Sequence, residues 1–191
     1  MRGFPSTESD SDGPFDDYDE FVPAHVPEPG PFLDGHEVLE GEAHLAFHEL
    51  TRELFEVRGV YDMTFNYNLA RLNLDRRHPN AGYRYAVQAE DPGVLRAEFT
   101  PTTPFCPQSH TLTIGSFRAW NGLSDRHDYD LVRVRVAPMH HASDDIDDEL
   151  ERLEERFLEE GSVETPDATG QDATTGTGPF ASGSGGPEAP F

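Results

Sequence analysis

Two runs of alternating side chains, joined by a short turn, constrain this chain more than anything else in it. Tyr83, Tyr85, Val87 and Ala89 alternate with Arg84, Ala86, Gln88 and Glu90. That is the period of a strand with one buried face. Asp91-Pro92-Gly93 supplies turn chemistry. Leu95, Ala97 and Phe99 then alternate with Arg96, Glu98 and Thr100. A link this short leaves no room for a crossover, so the two strands form an antiparallel hairpin.

The hairpin needs cover for its apolar face, and the flanking segments supply it. Ala43, Phe47, Leu50, Leu54 and Val57 recur at helical spacing. After the hairpin, Ile114, Phe117, Trp120 and Leu123 give a second helix its apolar side, and Asn121-Gly122 gives it a stop. Leu131 to Val136 reads as a third strand, with Val132, Val134 and Val136 facing one way and Arg133 and Arg135 the other. Ser143 is placed to cap a last helix, with Asp144 and Asp145 where the helix dipole favours anions. Ile146, Leu150, Leu153 and Phe157 are its inner stripe. The fold expected is α/β of the α+β kind, in the order α-β-β-α-β-α, a small sheet with helices against it. Residues 59–82 read as an irregular strand and turn followed by loop.

Composition sets the ends apart from this core. Residues 1–40 are rich in Asp, Glu, Pro and Gly, with Phe15, Tyr18, Phe21 and Phe32 scattered among them. Low hydropathy with high charge marks a disordered acidic arm, whose aromatics could still dock on a partner. Residues 161–191 are rich in Gly, Ser, Thr and Pro and read as a flexible tail. The folded domain is expected over 41–160.

The chain has 37 Asp and Glu against 14 basic residues, a formal net charge of -23, and every basic residue is Arg. Such a surface repels nucleic acid and anionic membranes. Acidity without Lys fits a salt-rich, halophilic cytoplasm, where self-repulsion is screened. No run approaches the ~20 apolar residues of a membrane span, and no apolar leader opens the chain. The single Cys excludes an internal disulfide framework and suits a reducing compartment.

That cysteine is the chemically loaded residue. Cys106-Pro107 lies between the hairpin and the second helix, with Pro107 placed as the first helical residue. With Cys106 at the N-cap, free N–H groups and the dipole would favour its thiolate, the form that binds metal or attacks an electrophile. Thr102, Thr103 and Pro104 form the loop beside it. His110 follows by four residues and could share its side of the helix. Cys106, His110 and His141 would together make an N/S metal site; nine histidines also make accidental proximity common.

Thr100-Pro101-Thr102-Thr103-Pro104-Phe105-Cys106-Pro107, after a hairpin and opening a helix, resembles the signature of the metal–sulfur (iron–sulfur) cluster assembly family, which includes SufT- and PaaD-type proteins and the eukaryotic cytosolic iron–sulfur targeting factor. Ala137-Pro138-Met139-His140-His141-Ala142-Ser143-Asp144 is similar to the eukaryotic branch, where a strand ends in Pro and a His-Ala-Ser run opens the last helix. The resemblance implies a role in cluster assembly or delivery, with Cys106 as the functional cysteine. It implies iron–sulfur clients or other assembly factors as partners, a homodimer, and a transient iron–sulfur cluster or iron as what the site could hold. The family's acidic turn has its counterpart at 57–63, with Asp62 in rough register as the acidic partner.

Two other readings stay open. Cys106 could be an enzyme's nucleophile, with His110 or His141 as base and an Asp to orient it, although no protease or hydrolase motif surrounds it. Alternatively, the domain is an interaction module without metal chemistry, docking a basic partner on its acidic last helix.

Overall fold

The computed structural model describes residues 13–164, and within them the α+β architecture is present. The elements are β1 (Glu37–Val38), α1 (Gly41–Arg58), β2 (Tyr61–Asp62), β3 (Tyr67–Asn68), β4 (Gly82–Val87), β5 (Val94–Thr100), α2 (Ser109–Gly122), β6 (Leu131–Val136) and α3 (Ser143–Glu160). Three short 3-10 helices join them, at Pro31–Leu33, Leu69–Leu74 and Ser124–Arg126.

The main sheet runs β1-β4-β5-β6. β4 and β5 are the expected hairpin, with Tyr83 opposite Phe99 and Tyr85 opposite Ala97. β6 is parallel to β5, and α2 is the crossover that parallel pairing requires. β1, antiparallel to β4, is an edge strand the sequence did not reveal. β2 and β3 form a separate small hairpin.

Alternation along β4, β5 and β6 sends Tyr83, Tyr85, Leu95, Ala97, Phe99, Val132, Val134 and Val136 to one face, where they are buried. α1 and α2 cover that face. At its centre Trp120 is fully enclosed, meeting Tyr83 edge-on at 5.0 Å and tilting against Phe55 at 5.0 Å. Its indole N–H donates to Thr51 Oγ1 at 3.1 Å, which satisfies the one polar atom that burial would otherwise strand. Asn121, expected only as a stop signal, ties α2 to β6. Its amide donates to Val132 O at 2.9 Å and its carbonyl accepts from Val132 N at 2.9 Å.

Three local expectations are corrected. The inner face of α1 is His44, Phe47, His48, Thr51, Leu54 and Phe55, whereas Ala43 and Val57 are exposed. The rotation is possible because His48 enters the core neutral and fully bonded. Its Nε2 donates to Ala70 O at 2.7 Å, and its Nδ1 accepts from Tyr85 Oη at 2.7 Å. Burial drives its pKa down to about 4. His44 stacks on it at 5.4 Å and is pushed lower still, by burial first and then by His48 and Arg84. Ser143 is the first residue of α3 and makes no side-chain cap, the N-cap position falling to Ala142. Asn73, expected in a loop, is buried in the second 3-10 helix. It exchanges two 2.7 Å hydrogen bonds with the backbone of Tyr83. Gly82 lies beside it with φ 118°, where a Cβ would overlap Asn73 Oδ1.

The largest correction concerns the arm. Residues 13–40, expected to be disordered, run across the domain and contribute β1. Val26 and Leu33 are buried, Leu33 to 1 % exposure. The charge-to-hydropathy argument fails because side chains of the folded domain hold the segment by polar contacts in addition to the apolar burial of Val26 and Leu33. Residues 1–12 and 165–191, the rest of the expected arm and tail, lie outside the described residues. At the other end the domain continues past 160, since Val163 is buried. Among the described residues no helix is long and apolar enough to cross a membrane.

Candidate functional site

β5 ends at Thr100, and the loop 101–108 carries the chain to α2. Pro101 is buried and anchors the loop; Thr102 is half-buried, while Thr103, Pro104 and Phe105 face solvent, Phe105 to 72 % exposure. Cys106, a free thiol, is half-buried. Its backbone is held on both sides: its N–H donates to Thr103 O at 3.3 Å, and its carbonyl accepts from Ser109 N at 3.4 Å. The same carbonyl accepts from His140 Nε2 at 2.9 Å.

The expected helix cap is displaced. α2 begins at Ser109 with Gln108 at the N-cap position, so Cys106 lies two residues upstream of the cap and Pro107 is outside the helix. The dipole's influence is confined to the first turn, so it is not what defines the sulfur's surroundings. Pro101, Pro104 and Pro107 restrict the backbone of the loop that leads into α2.

A cleft of about 320 Å³ is lined by Phe105, Cys106, Pro107, His110, His140 and His141. The structure therefore brings Cys106, His110 and His141 to one depression, as the sequence suggested, but sets their ring nitrogens to other tasks. His110 Nε2 pairs with Glu149 Oε2 at 2.6 Å, on an exposed edge. His141 Nδ1 donates to Pro104 O at 2.8 Å, and its backbone N–H reaches the same oxygen at 2.9 Å. Its ring packs on Phe105 at 5.3 Å. Among the described residues, no three His, Cys, Asp or Glu side chains are placed to hold one metal ion. The trio expected as a metal site is thus not assembled as one within this chain.

His140, outside the expected trio, carries the most structural weight. It is buried, and both nitrogens are committed: Nδ1 accepts from Ala142 N at 3.1 Å, which leaves Nε2 to donate to the Cys106 carbonyl. The start of α3 thereby sets the position of the cysteine loop.

Asp62 approaches the loop by way of another side chain. It is buried at the end of β2, and its Oδ1 accepts from Thr64 N at 2.7 Å and Phe65 N at 3.2 Å. Those bonds build the β2–β3 turn, in which Asn66 takes a left-handed φ of 57°. Gln108 grips the turn from the other side, its Oε1 accepting from Met63 N at 2.9 Å and its Nε2 donating to Thr64 Oγ1. Asp62 therefore shapes a turn docked beside the cysteine loop; its carboxylate is spent on that turn and is not offered as an acid at the thiol. Gln108 was missed in the sequence, where only its place next to Cys106-Pro107 could have pointed to it.

A protein-family profile described as a domain of unknown function (DUF7998) matches residues 13–164. The chain belongs to this family. The matched span begins in the arm, so the arm is part of the family's domain and not an appendage to it. No curated protein and no solved structure matches the chain.

Proposed function

We propose that this domain is an auxiliary factor in iron–sulfur cluster assembly or delivery to client proteins, with Cys106 as the thiol that meets the cluster. The observation that carries the reading is the placement of Cys106. It is the chain's one sulfur ligand of thiolate type, half-buried in a histidine-lined cleft, on a loop whose backbone is fixed by His140. The loop sits after an antiparallel hairpin and before a crossover helix, as the resemblance implies. One thiolate cannot satisfy the three or four ligands a cluster needs. A client, another assembly factor or a second copy of the chain must supply the others, and the cluster is cargo, not a resident group. Cytoplasm rich in salt is the compartment this reading assigns.

Anaerobic incubation with ferrous iron and sulfide tests it. The native chain should develop visible absorption that Cys106→Ala lacks. Equal absorption in both would remove Cys106 from the role. Absorption in neither would rule out cluster binding by the chain on its own and leave a scaffold or targeting role.

A thiol nucleophile is the second reading, and one observation favours it. With Nδ1 turned to the Pro104 carbonyl, the His141 ring lines the cleft beside Cys106. Alkylation of Cys106 would then abolish turnover of a small substrate, and not maturation of an iron–sulfur client.

A further inference from the structure

The outer face of the sheet, opposite α1 and α2, carries Arg84, Arg96, Glu98, Arg133 and Arg135. Part of it is covered by the arm, whose chemistry complements it. Residues 15–32 contain Asp16, Asp17, Asp19, Glu20 and Glu28 and neither Arg nor Lys. Each of the arm's four aromatic rings lies under a guanidinium. On the outer face Arg84 sits 5.6 Å from the centre of Phe21 and Arg96 4.6 Å from Phe32; beyond the sheet, Arg52 of α1 sits 4.1 Å from Tyr18 and Arg71 of the second 3-10 helix 3.8 Å from Phe15. Arg135 approaches Phe32 from another side at 5.4 Å.

Polar bonds follow the same path. Arg84 donates to Pro27 O at 2.9 Å and Arg96 to Phe32 O at 3.0 Å. Arg76 donates to Phe15 O at 3.0 Å and pairs with Asp16 at 3.2 Å. Glu98, itself buried, accepts from Gly30 N at 2.6 Å and Phe32 N at 3.3 Å.

Beside the buried Val26 and Leu33, this is the composition of an interface. Arginine and aromatic anchors with a polar rim are what proteins use to bind one another. The four rings are only partly buried. The boundary is also loosely filled. A cleft of about 390 Å³ separates Glu28–Gly30 from Pro138 and Met139, and another of about 360 Å³ opens between Phe32 and Arg133.

We propose that this arginine-bearing surface is a docking site for an extended acidic segment carrying aromatic residues, and that residues 15–32 occupy it in cis as a displaceable strap. A partner protein presenting such a segment binds by exchange with the strap. The inference does not depend on Cys106, and its readout does not involve iron, so it stands or falls separately from the proposed function.

The test uses the full chain and a fluorescent synthetic peptide of residues 13–40. Phe15→Ala/Phe32→Ala removes two of the strap's four anchors and should raise affinity for the peptide roughly tenfold over the native chain. Adding Arg71→Gln and Arg96→Gln to that variant should abolish the gain. Equal affinity in the native and strap-weakened chains would overturn the proposal. So would loss of the near-ultraviolet signal of Trp120 in the strap-weakened chain, because the arm would then be an integral part of the core. Sedimentation of the same variant without peptide should show a monomer. A concentration-dependent dimer would make a second copy the occupant and overturn the assignment to a foreign partner.

Discussion

On the helical side of the sheet, Tyr83, Tyr85 and Val134 are sealed against Trp120, Phe55 and Phe117. On the other side, Arg84, Arg96 and Arg135 hold a strap of chain by its rings and carbonyls. The same three strands make both faces. The first is stabilised by apolar area removed from water, which is cooperative and has no preferred partner. The second is stabilised by directional contacts, each worth about 1 kcal/mol. The difference teaches that the inner face decides whether the domain folds, while the outer face decides what lies upon it.

The sharpest way to break this contrast is at the centre of the inner face. Trp120→Ala should destabilise the domain by about 3–5 kcal/mol, read as a shift of the urea midpoint. A loss comparable to that of an outer-face substitution would erase the distinction.

Next comes acid. His48 is held at about 4 in the folded chain against 6.5 for free imidazole, so between those values the unfolded state binds more protons. Its contribution is complete above pH 6.5 and is lost as pH falls toward 4, in all on the order of 3 kcal/mol. Asp147, raised by burial to about 6, runs the other way. Its folded form holds the proton more tightly, so it gains stability as pH falls below about 6. Comparing the native chain with His48→Leu at each pH isolates the histidine, and the variant's stability should fall less on acidification.

On the outer face the effects shrink. Gly30→Ala sets a Cβ against the buried Glu98 carboxylate and should loosen the strap by roughly 1–3 kcal/mol. Amide exchange should rise at Gly30 and Phe32 while the amides of β5 stay protected. Phe32→Ala should cost still less, about 0.5–1 kcal/mol, as expected of a cation–π contact. Faster exchange throughout β4 and β5 in either variant would show that the two faces are one cooperative unit.

The same contrast explains what could be read in the sequence. Strict alternation gave away β4, β5 and β6, and helical spacing gave away α2 and α3, because burial imposes a period on apolar residues. The arm has no such period. Its Phe15, Tyr18, Phe21 and Phe32 answer to arginines distributed from position 52 to 135, and nothing local marks that correspondence. His44 and His48 were passed over on α1 because an imidazole signals burial only once its partners, here Tyr85 and Ala70, are known. At the candidate site the cysteine and the neighbouring histidines were visible as residue types. Their hydrogen-bond assignments, which turn His110 to Glu149 and His140 to a carbonyl, depend on the packing of α3 against β6 and α2.

His140 holds Cys106 by its main chain, not by its sulfur. The reacting atom and the frame around it can thus be altered independently. Serine or selenocysteine at position 106 would keep the carbonyl and its imidazole clamp, so the loop could be made inert or given a spectroscopic label while retaining its shape.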